Sequence, residues 1–434
     1  PFYCCLGDPI TRERLAWEVE QMKGHSLAGL QINYAHSCEG GLSWGLTYQG
    51  DPPLFSDAWW EAVGFLMELG KRDGFSVSLS DYTIGSPGQG YYADEILSAH
   101  PELHGQLLHC EEREVCAGEE IEAHLPEGLL NASFLAGEDC IDLTPRAEGG
   151  LLRFTAPRDG RLLLIRAERK EHSLDPMHPL TGRQVCEKFF GRFESHFPGE
   201  AGKGLNFFFS DELDFNIRGK LWNAFFAEEF RARKGYDLLP LLPALFTDIG
   251  DRTPKVRLDY YDVIVQLEEN YFRTVFEWHE SRGMIYGCDH GGRGYDITEF
   301  GDYFRTQKFN QGPGCDQPKL SSDIGKNKVA SSIAHLYDRP RVWLEGFYGS
   351  GWGTSSADFA DAVARNFVMG HNLLSLHGLY YATHGGWWEW APPCNGYHMP
   401  YWKDMAGFFR AVERMSFLLS QGRLVCDVGI VFPV

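Results

Sequence analysis

Two glutamates stand at the ends of apolar runs that are typical of buried strands. Glu212 follows FFFSD at residues 207–211, and Glu345 follows RVWL at 341–344. Two carboxyl groups on opposite sides of a glycosidic bond can hydrolyse it, because the protonated group donates to the leaving oxygen while the ionised group attacks or activates water. We interpret this pair as the candidate catalytic centre of a glycoside hydrolase. The alternative is that both residues are partners in surface ion pairs.

Other titratable residues end further apolar runs of the sequence. They are Asp81, Asp211, Asp289, His290 and His377. Any single one could be a loop acid or a histidine satisfied by hydrogen bonds, but the placement recurs from run to run. We expect these side chains to contact the sugar or a metal ion.

An aromatic stretch, residues 383–402, supports a sugar ligand. Glycine and proline break helical and strand periodicity there, so its rings are expected in exposed loops. Aromatic faces in such loops suit the apolar faces of pyranose rings. The stacking candidates are Trp387 and Trp388 in this stretch and Trp352 after the second glutamate. Packing against a β-rich segment is the alternative role.

Helices alternate with the apolar runs along most of the chain. Ser56 is typical of a helix N-cap, Gly74 of a helix end, and residues 75–81 of the strand that follows. The same unit recurs, and the predicted strands are FYCCL near the start, 27–35, 75–81, 205–210, 284–288, 303–309, 341–345 and 372–378.

This alternation predicts an α/β fold, a (β/α)8 TIM barrel with an inserted antiparallel β-sandwich-like domain. No glycine-rich phosphate loop follows the first strand, which disfavours a doubly wound sheet. Between about 101 and 176 short alternating stretches are typical of antiparallel strands. The predicted domains are the first part of the barrel (1–100), the insertion (101–176), the rest of the barrel (177–424) and the start of a further domain (425–434).

A barrel gathers the carboxyl ends of its parallel strands at one face, where its chemistry takes place. The fourth and seventh predicted strands, which end in Glu212 and Glu345, face one another across that mouth. A non-catalytic carbohydrate-binding barrel is one rival, but it predicts the loss of one carboxylate. A metal-dependent barrel hydrolase is the other, and it usually needs a His-x-His pair on the first strand, which FYCCL does not offer.

The charge of the chain limits its partners. Its 434 residues carry a formal net charge of −20 and are 43% hydrophobic, with 12 Trp, 19 Tyr and 30 Phe. A polyanion would be repelled, so we expect neither nucleic acid nor an anionic membrane as a partner, but an oligosaccharide or glycoside substrate. The odd number of cysteines, 11, without a metal or redox spacing indicates a reducing, cytoplasmic location more than a secreted one. The sequence does not indicate an oligomeric state.

Several stretches resemble glycoside hydrolase family 106, the α-L-rhamnosidase family. They are PFYCCLGDPITRERLAWEVEQMKGHSLAGLQI, LSDYTIGSPGQG (79–90), FFFSDELDF (207–215), RKGYDLLPLLPALF (233–246), VWLEGFYG (342–349) and DVGIVFP (427–433). The resemblance implies inverting hydrolysis of terminal α-L-rhamnosides and a calcium ion near the site, without an organic cofactor. Glu212 and Glu345 match the two family carboxylates, and which one is the acid stays open.

Two stretches depart from the family pattern at the end of the barrel that faces the sugar. GCDHGGRG (287–294) stands where another acid is expected, and whether Asp289 takes that role is open. The opening strand carries YCCLGD instead of a tryptophan-rich start. The substrate could therefore be a deoxy sugar related to rhamnose. Asp211, Asp214, Asp289, Asp296 and Asp302 could supply calcium with oxygen ligands, but no EF-hand spacing connects them.

Overall fold

The computed structural model describes residues 1–5, 8–34, 37–38, 41–42, 50–80, 91–215, 217–290, 300–382 and 395–431. The chain forms two compact units. The first, here called the barrel unit, contains residues 1–96, 182–214 and 272–434. The second, the β-rich unit, contains residues 97–181 and 215–271. The stretch 215–271 therefore groups with the antiparallel strands and not with the barrel strands.

The strands of the described chain are numbered in chain order. They are β1 (Phe2–Cys5), β2 (Gly29–Tyr34), β3 (Ser37–Cys38), β4 (Gly41–Leu42), β5 (Ser76–Ser80), β6 (His104–Val115), β7 (Glu120–His124), β8 (Leu129–Ala136), β9 (Asp139–Asp142), β10 (Ala147–Glu148), β11 (Leu151–Thr155), β12 (Gly160–Leu174), β13 (Leu205–Leu213), β14 (Leu221–Trp222), β15 (Ile285–His290), β16 (Gly312–Gln317), β17 (Trp343–Gly346), β18 (Leu373–Leu376) and β19 (Leu379–Tyr380).

The helices of the described chain are also numbered in chain order, and side chains cap several of them. They are α1 (Arg12–Gly24), α2 (Asp57–Asp73), α3 (Tyr91–Ala99), α4 (Thr181–Val185), α5 (Gly191–His196), α6 (Phe226–Lys234), α7 (Thr253–Glu280), α8 (Tyr303–Gln307), α9 (Ile324–Leu336), α10 (Ser356–Val368) and α11 (Ala406–Leu419). Thr11 and Ser56 accept hydrogen bonds from backbone N–H groups of α1 and α2, as their types predict. None of the described helices combines the length and the apolar character needed to cross a membrane.

The parallel strands form one sheet that is nearly closed on itself. Its order is β18-β17-β16-β15-β13-β5-β2-β1-β19. The two edge strands, β18 and β19, follow one another in the chain with only His377 and Gly378 between them. Because β1 pairs with β19 and β17 pairs with β18, the sheet must curve into a barrel shape. The predicted α/β fold with a parallel barrel-like sheet and separate antiparallel sheets is confirmed at this level.

Aromatic side chains fill the middle of this sheet. Phe2 on β1, Phe209 on β13 and Trp343 on β17 form one cluster of buried residues. The rings of Phe209 and Trp343 are stacked, with centroids 3.6 Å apart. Since β13 and β17 are not neighbours in the sheet, this contact crosses its interior. It holds the two strands that end in Glu212 and Glu345 against one another.

The predicted sixth strand, residues 303–309, was wrong. Residues 303–307 form α8, and the sixth long strand of the sheet is β16. The aromatic residues of YFRTQKF are typical of strands, but Asp302 accepts hydrogen bonds from the N–H groups of Phe304 and Arg305 and so starts a helix. GPGCDQ was missed because glycine and proline have low strand propensity, although the strand is buried throughout.

The β-rich unit is built on two antiparallel sheets. One has five strands in the order β14-β6-β12-β8-β9, and the other has three in the order β10-β11-β7. Its apolar core includes Phe134, Leu152 and Leu162. Leu221–Trp222 pair with β6 as strand β14, and α6 begins only after them, at Phe226.

A buried acid ties the turn after β12 to the rest of the β-rich unit. Asp175 is 1% exposed, accepts hydrogen bonds from the Asn223 amide (2.8 Å) and the Met177 N–H (2.9 Å), and burial raises its pKa to about 7. The free energy of unfolding should therefore fall by up to about 4 kcal/mol between pH 4 and pH 8, since the unfolded carboxyl ionises near its ordinary pKa while the native one stays protonated until about 7.

In the Asp175→Asn protein this fall should be absent, because an amide has no proton to lose. The Oδ1 atom of Asn223 has no partner among the described residues, so a rotated Asn223 can accept from the new amide. Urea unfolding at pH 5 and pH 8 measures how the free energy of unfolding of each protein changes with pH. Equal pH dependence in the two proteins would contradict the prediction.

Candidate active site

Glu212 lies at the carboxyl end of β13, where the strand changes its pairing. The register with β15 shifts between Ser210 and Leu213, and Glu212 has a φ of 49°. Its N–H donates to the Oδ1 atom of Asp289 at 2.9 Å, and Asp289 is fully buried. A left-handed conformation is strained for a glutamate and persists only where the surroundings fix it, as they commonly do at functional sites. Asp289 therefore positions the backbone that carries Glu212.

Glu345 lies at the equivalent end of β17. Glu345 is only 6% exposed. In the sheet register it stands between Asp316 on β16 and Ser375 on β18. Trp343 precedes it by two residues, so the two side chains point to the same face of the strand. Since Trp343 stacks on Phe209 across the sheet, Glu345 also points into the interior of the sheet.

His377 follows β18 and lies beside Glu345. Its Nε2 atom is 4.0 Å from the Oε1 atom of Glu345, and its ring packs on Phe2 and Tyr348. Burial lowers the pKa of His377 to about 4, so the imidazole is neutral at neutral pH. Its Nδ1 atom is buried and has no hydrogen-bond partner among the residues described. A neutral ring here can donate or accept a hydrogen bond without adding charge next to Glu345.

The neutral state of His377 gives a spectroscopic prediction. Between pH 5.5 and pH 8 its imidazole should show no titration, because burial keeps its pKa near 4. Proton–carbon NMR of histidine-labelled protein, with the resonance assigned by a His377→Gln variant, measures this directly. A titration midpoint above pH 6 for this resonance would contradict the prediction.

Three further residues of the site were not foreseen from the sequence. Asp316 is 1% exposed at the end of β16, and its Oδ2 atom accepts a hydrogen bond from the Tyr348 hydroxyl at 2.9 Å. The Lys326 ammonium, equally buried, lies 4.0 Å from the same carboxylate oxygen. The cation offsets part of the negative charge that the strand-end acids gather. The sequence signal for Asp316 is its position near the end of a strand, directly after GPGC. It was missed because the sixth strand was predicted at 303–309 instead.

The structure brings some of the predicted site residues together and leaves others undescribed. Glu212, Asp289, Glu345 and His377 all lie at the carboxyl ends of the barrel strands. Trp352 follows β17 and is 48% exposed, as a stacking residue requires. Asp211 and His290 lie in β13 and β15, but their side chains are outside the described part. The predictions for Asp81, Trp387 and Trp388 fall on residues that the structure does not describe.

The described side chains do not assemble a metal centre. No group of three or more His, Cys, Asp or Glu residues with suitable geometry occurs among the residues described. Asp302 uses its Oδ1 atom to cap α8, and Asp289 uses one oxygen for the Glu212 N–H. Of the other candidates, Asp214 is half-buried, the side chain of Asp211 is not described, and Asp296 lies outside the described residues.

Comparisons with known proteins show the family and the fold of the chain. A family model described as alpha-L-rhamnosidase, Glyco_hydro_106, matches residues 171–432, more than half of the chain. A solved rhamnosidase from Novosphingobium sp. PP1Y superposes with a TM-score of 0.67 at 13% identity, covering 97% of this chain and 59% of that one. At this identity the match shows a shared fold.

A second similar protein is named after another glycosidase activity. A Formosa agariphila protein named "Putative beta-glucuronidase" is 26% identical over 224 residues, which is 48% of this chain and 18% of that protein. The chain thus spans less than two thirds of the length of each of these two proteins.

Proposed function

The chain belongs to the Glyco_hydro_106 family of alpha-L-rhamnosidases, and we propose that it forms the catalytic part of an exo-acting glycoside hydrolase. We infer further that its parallel sheet is the (β/α)8 barrel of that enzyme. The proposed substrate is a terminal α-L-rhamnoside, or a glycoside of a related deoxy sugar, in plant-type glycans. The observation that carries the proposal is the pair of glutamates on β13 and β17, whose strands are held together by the Phe209–Trp343 stack.

Five residues of the site have a role in this mechanism. One of the two glutamates, in its protonated form, donates its proton to the glycosidic oxygen as the bond to the anomeric carbon breaks. The other, ionised, takes a proton from a water that attacks the opposite face of that carbon. Asp289 holds the Glu212 backbone, and the neutral His377 is available to hydrogen-bond a sugar hydroxyl near Glu345. Trp352 is the described candidate for stacking on a sugar ring.

Inversion is the stereochemical outcome that we propose. It requires the two carboxyl groups to be about 6.5–9.5 Å apart so that a water fits between them and the sugar. From an aryl α-L-rhamnoside, the first product should therefore be β-L-rhamnose, which mutarotates later. Proton NMR within the first minutes of turnover distinguishes the two anomers. Initial appearance of the α anomer would indicate retention and contradict the proposed mechanism.

The substrate is tested with a panel of aryl glycosides and the full-length protein. We expect the 4-nitrophenyl α-L-rhamnoside to be hydrolysed fastest. An aryl β-D-glucuronide belongs in the panel because of the name of the Formosa agariphila relative. Faster hydrolysis of the glucuronide would be consistent with the carboxylate mechanism, but it would replace rhamnose with glucuronic acid as the proposed sugar. A lack of turnover across the panel would favour the carbohydrate-binding alternative.

Calcium is part of the proposal only through the family. The described side chains do not test the fit, since Asp211 and Asp296 are not among them. No step of the mechanism above depends on the ion. The panel is run with calcium and with a chelator, and equal rates would remove the ion from the proposal. The cytoplasmic location likewise stays a prediction.

A further inference from the structure

A cavity of about 840 Å³ opens into the barrel unit from the end opposite the glutamates. Its lining includes the first residues of several barrel strands, among them Gly29 of β2, Ser76 of β5 and Gly312 of β16. Barrel interiors are usually filled by layers of large branched side chains. Here small residues at the amino ends of the strands leave that space open. The volume is in the range of small-molecule sites, which are about 300–1,000 Å³.

The walls of this amino-end cavity are mainly aromatic and aliphatic. Rings from the strands and from α11 line it, together with aliphatic side chains of α10 and α11. These residues include Phe207, Phe209, Trp343, Val363, Phe409 and Val412. Such walls take the body of an apolar molecule and exclude a bare sugar, whose hydroxyl groups would lose their hydrogen bonds with water.

Among the described polar side chains of the lining, one is buried without a partner. Gln31 lines the cavity, is 1% exposed, and has no hydrogen-bond partner for either its Nε2 or its Oε1 atom among the described residues. On β2 the neighbours Leu30 and Ile32 lie on the opposite face, so the alternation of the strand directs Gln31 into the sheet interior. An unpaired buried amide is unfavourable, and it is rare in folded proteins unless a ligand or water completes it.

A cation lies in the same lining. Arg341 precedes β17 and is half-buried. It lies next to Gly312, because a Cβ built on that glycine would be 3.7 Å from the Cβ of Arg341. Within the described part of the chain no carboxylate is within ion-pair distance of its guanidinium. Glu413 and Arg414 of α11 are the other charged residues of the lining, and both are exposed. The lining therefore carries an excess of positive charge next to an apolar space.

We propose that the amino-end cavity binds a small amphiphilic monocarboxylate, with its aryl or alkyl body among the aromatic walls and its carboxylate on Arg341 and Gln31. The guanidinium of arginine matches the two oxygens of a carboxylate, and the amide of glutamine can donate to either. This site is separate from the glutamate pair, and its occupancy does not rest on the proposed glycosidase activity.

Calorimetric titration of the whole protein tests the site, with 4-phenylbutyrate as the aryl probe and octanoate as the alkyl probe. We expect one molecule bound per chain, and the uncharged 4-phenylbutanol should bind more weakly. Saturating rhamnose should not displace the acid, because the sugar site is at the other end of the strands. Displacement by rhamnose would place the acid in the active site and overturn the proposal, as would the absence of binding of either acid.

Variants then locate the bound acid. Val412→Trp puts an indole into the cavity and should abolish binding, whereas the matched Val368→Trp, at an exposed position on α10 outside the lining, should not. Arg341→Gln should lower the affinity for the acid about tenfold or more, as expected for the loss of a charge-assisted hydrogen bond. The affinity for 4-phenylbutanol should not change. Undiminished binding of the acid to Val412→Trp or to Arg341→Gln would overturn the assignment.

The Gln31→Leu variant tests whether Gln31 contacts the ligand or only stabilises the fold. Without ligand this variant should melt at a higher temperature, because it removes an unpaired buried amide. It should also bind the acid more weakly, since the hydrogen-bonding group is lost. A lower melting temperature together with unchanged affinity would show that Gln31 stabilises the fold and does not contact the ligand.

Discussion

Glu345→Gln should reduce turnover of aryl α-L-rhamnosides by at least the ~10²–10⁴-fold that general acid–base catalysis supplies, while the protein folds normally. Glu345 is 6% exposed and lies on the strand whose Trp343 crosses the sheet interior to Phe209. Glutamine has the same shape, so the packing around β17 is kept. It can neither donate a proton as an acid nor accept one as a base, so the chemical step is lost and the fold is not.

The measurement compares kcat of the variant with that of the wild type and of Glu277→Gln. Glu277 is an exposed glutamate of the barrel unit on α7, and the same substitution there should leave kcat unchanged. Circular dichroism and the melting temperature check the fold. Full activity of the Glu345→Gln protein would remove this residue from the mechanism.

Glu212→Gln should produce a loss of similar size, ~10²–10⁴-fold or more in kcat. The backbone at this position is held in a left-handed conformation by the Asp289 carboxylate, which accepts the Glu212 N–H. That contact involves only the main chain, so it survives the substitution and the amide occupies the place of the carboxyl group. The loss should therefore come from chemistry and not from a displaced loop. Wild-type kcat in this variant would exclude Glu212 as acid or base.

A series of leaving groups assigns the two roles. Loss of the general acid matters less when the aglycone is already a good leaving group, such as 4-nitrophenol, than when it is an alkyl alcohol. Loss of the general base affects all aglycones alike, because the attacking water is the same. The variant whose deficit shrinks on the 4-nitrophenyl glycoside lacks the acid. Equal deficits of both variants across the series would contradict a division into one acid and one base.

The local pattern of the sequence was sufficient for most of the fold. Apolar runs followed by acids indicated the strands that carry Glu212 and Glu345, and Ser56 and Gly74 marked the limits of α2. Where local signals conflicted, the prediction was wrong: YFRTQKF has strand-like residues but begins with the cap of Asp302, while GPGCDQ has poor strand propensity and still forms β16. Burial between two neighbouring strands outweighs propensity there, because parallel strands are stabilised mainly by what covers them.

The sequence by itself thus determined the class of chemistry, the family, and the two residues that we propose to carry the reaction. Only the tertiary structure decided what surrounds them. The hydrogen bond by which Asp289 holds the backbone of Glu212 was not foreseen, and the expected contact of Asp289 with the sugar or a metal ion stays a prediction. Asp316 and Lys326 became visible only when β16 was placed beside β17. The cavity around Gln31 also has no sequence signature. Contacts between strands distant in the chain depend on register and curvature, which local periodicity does not specify.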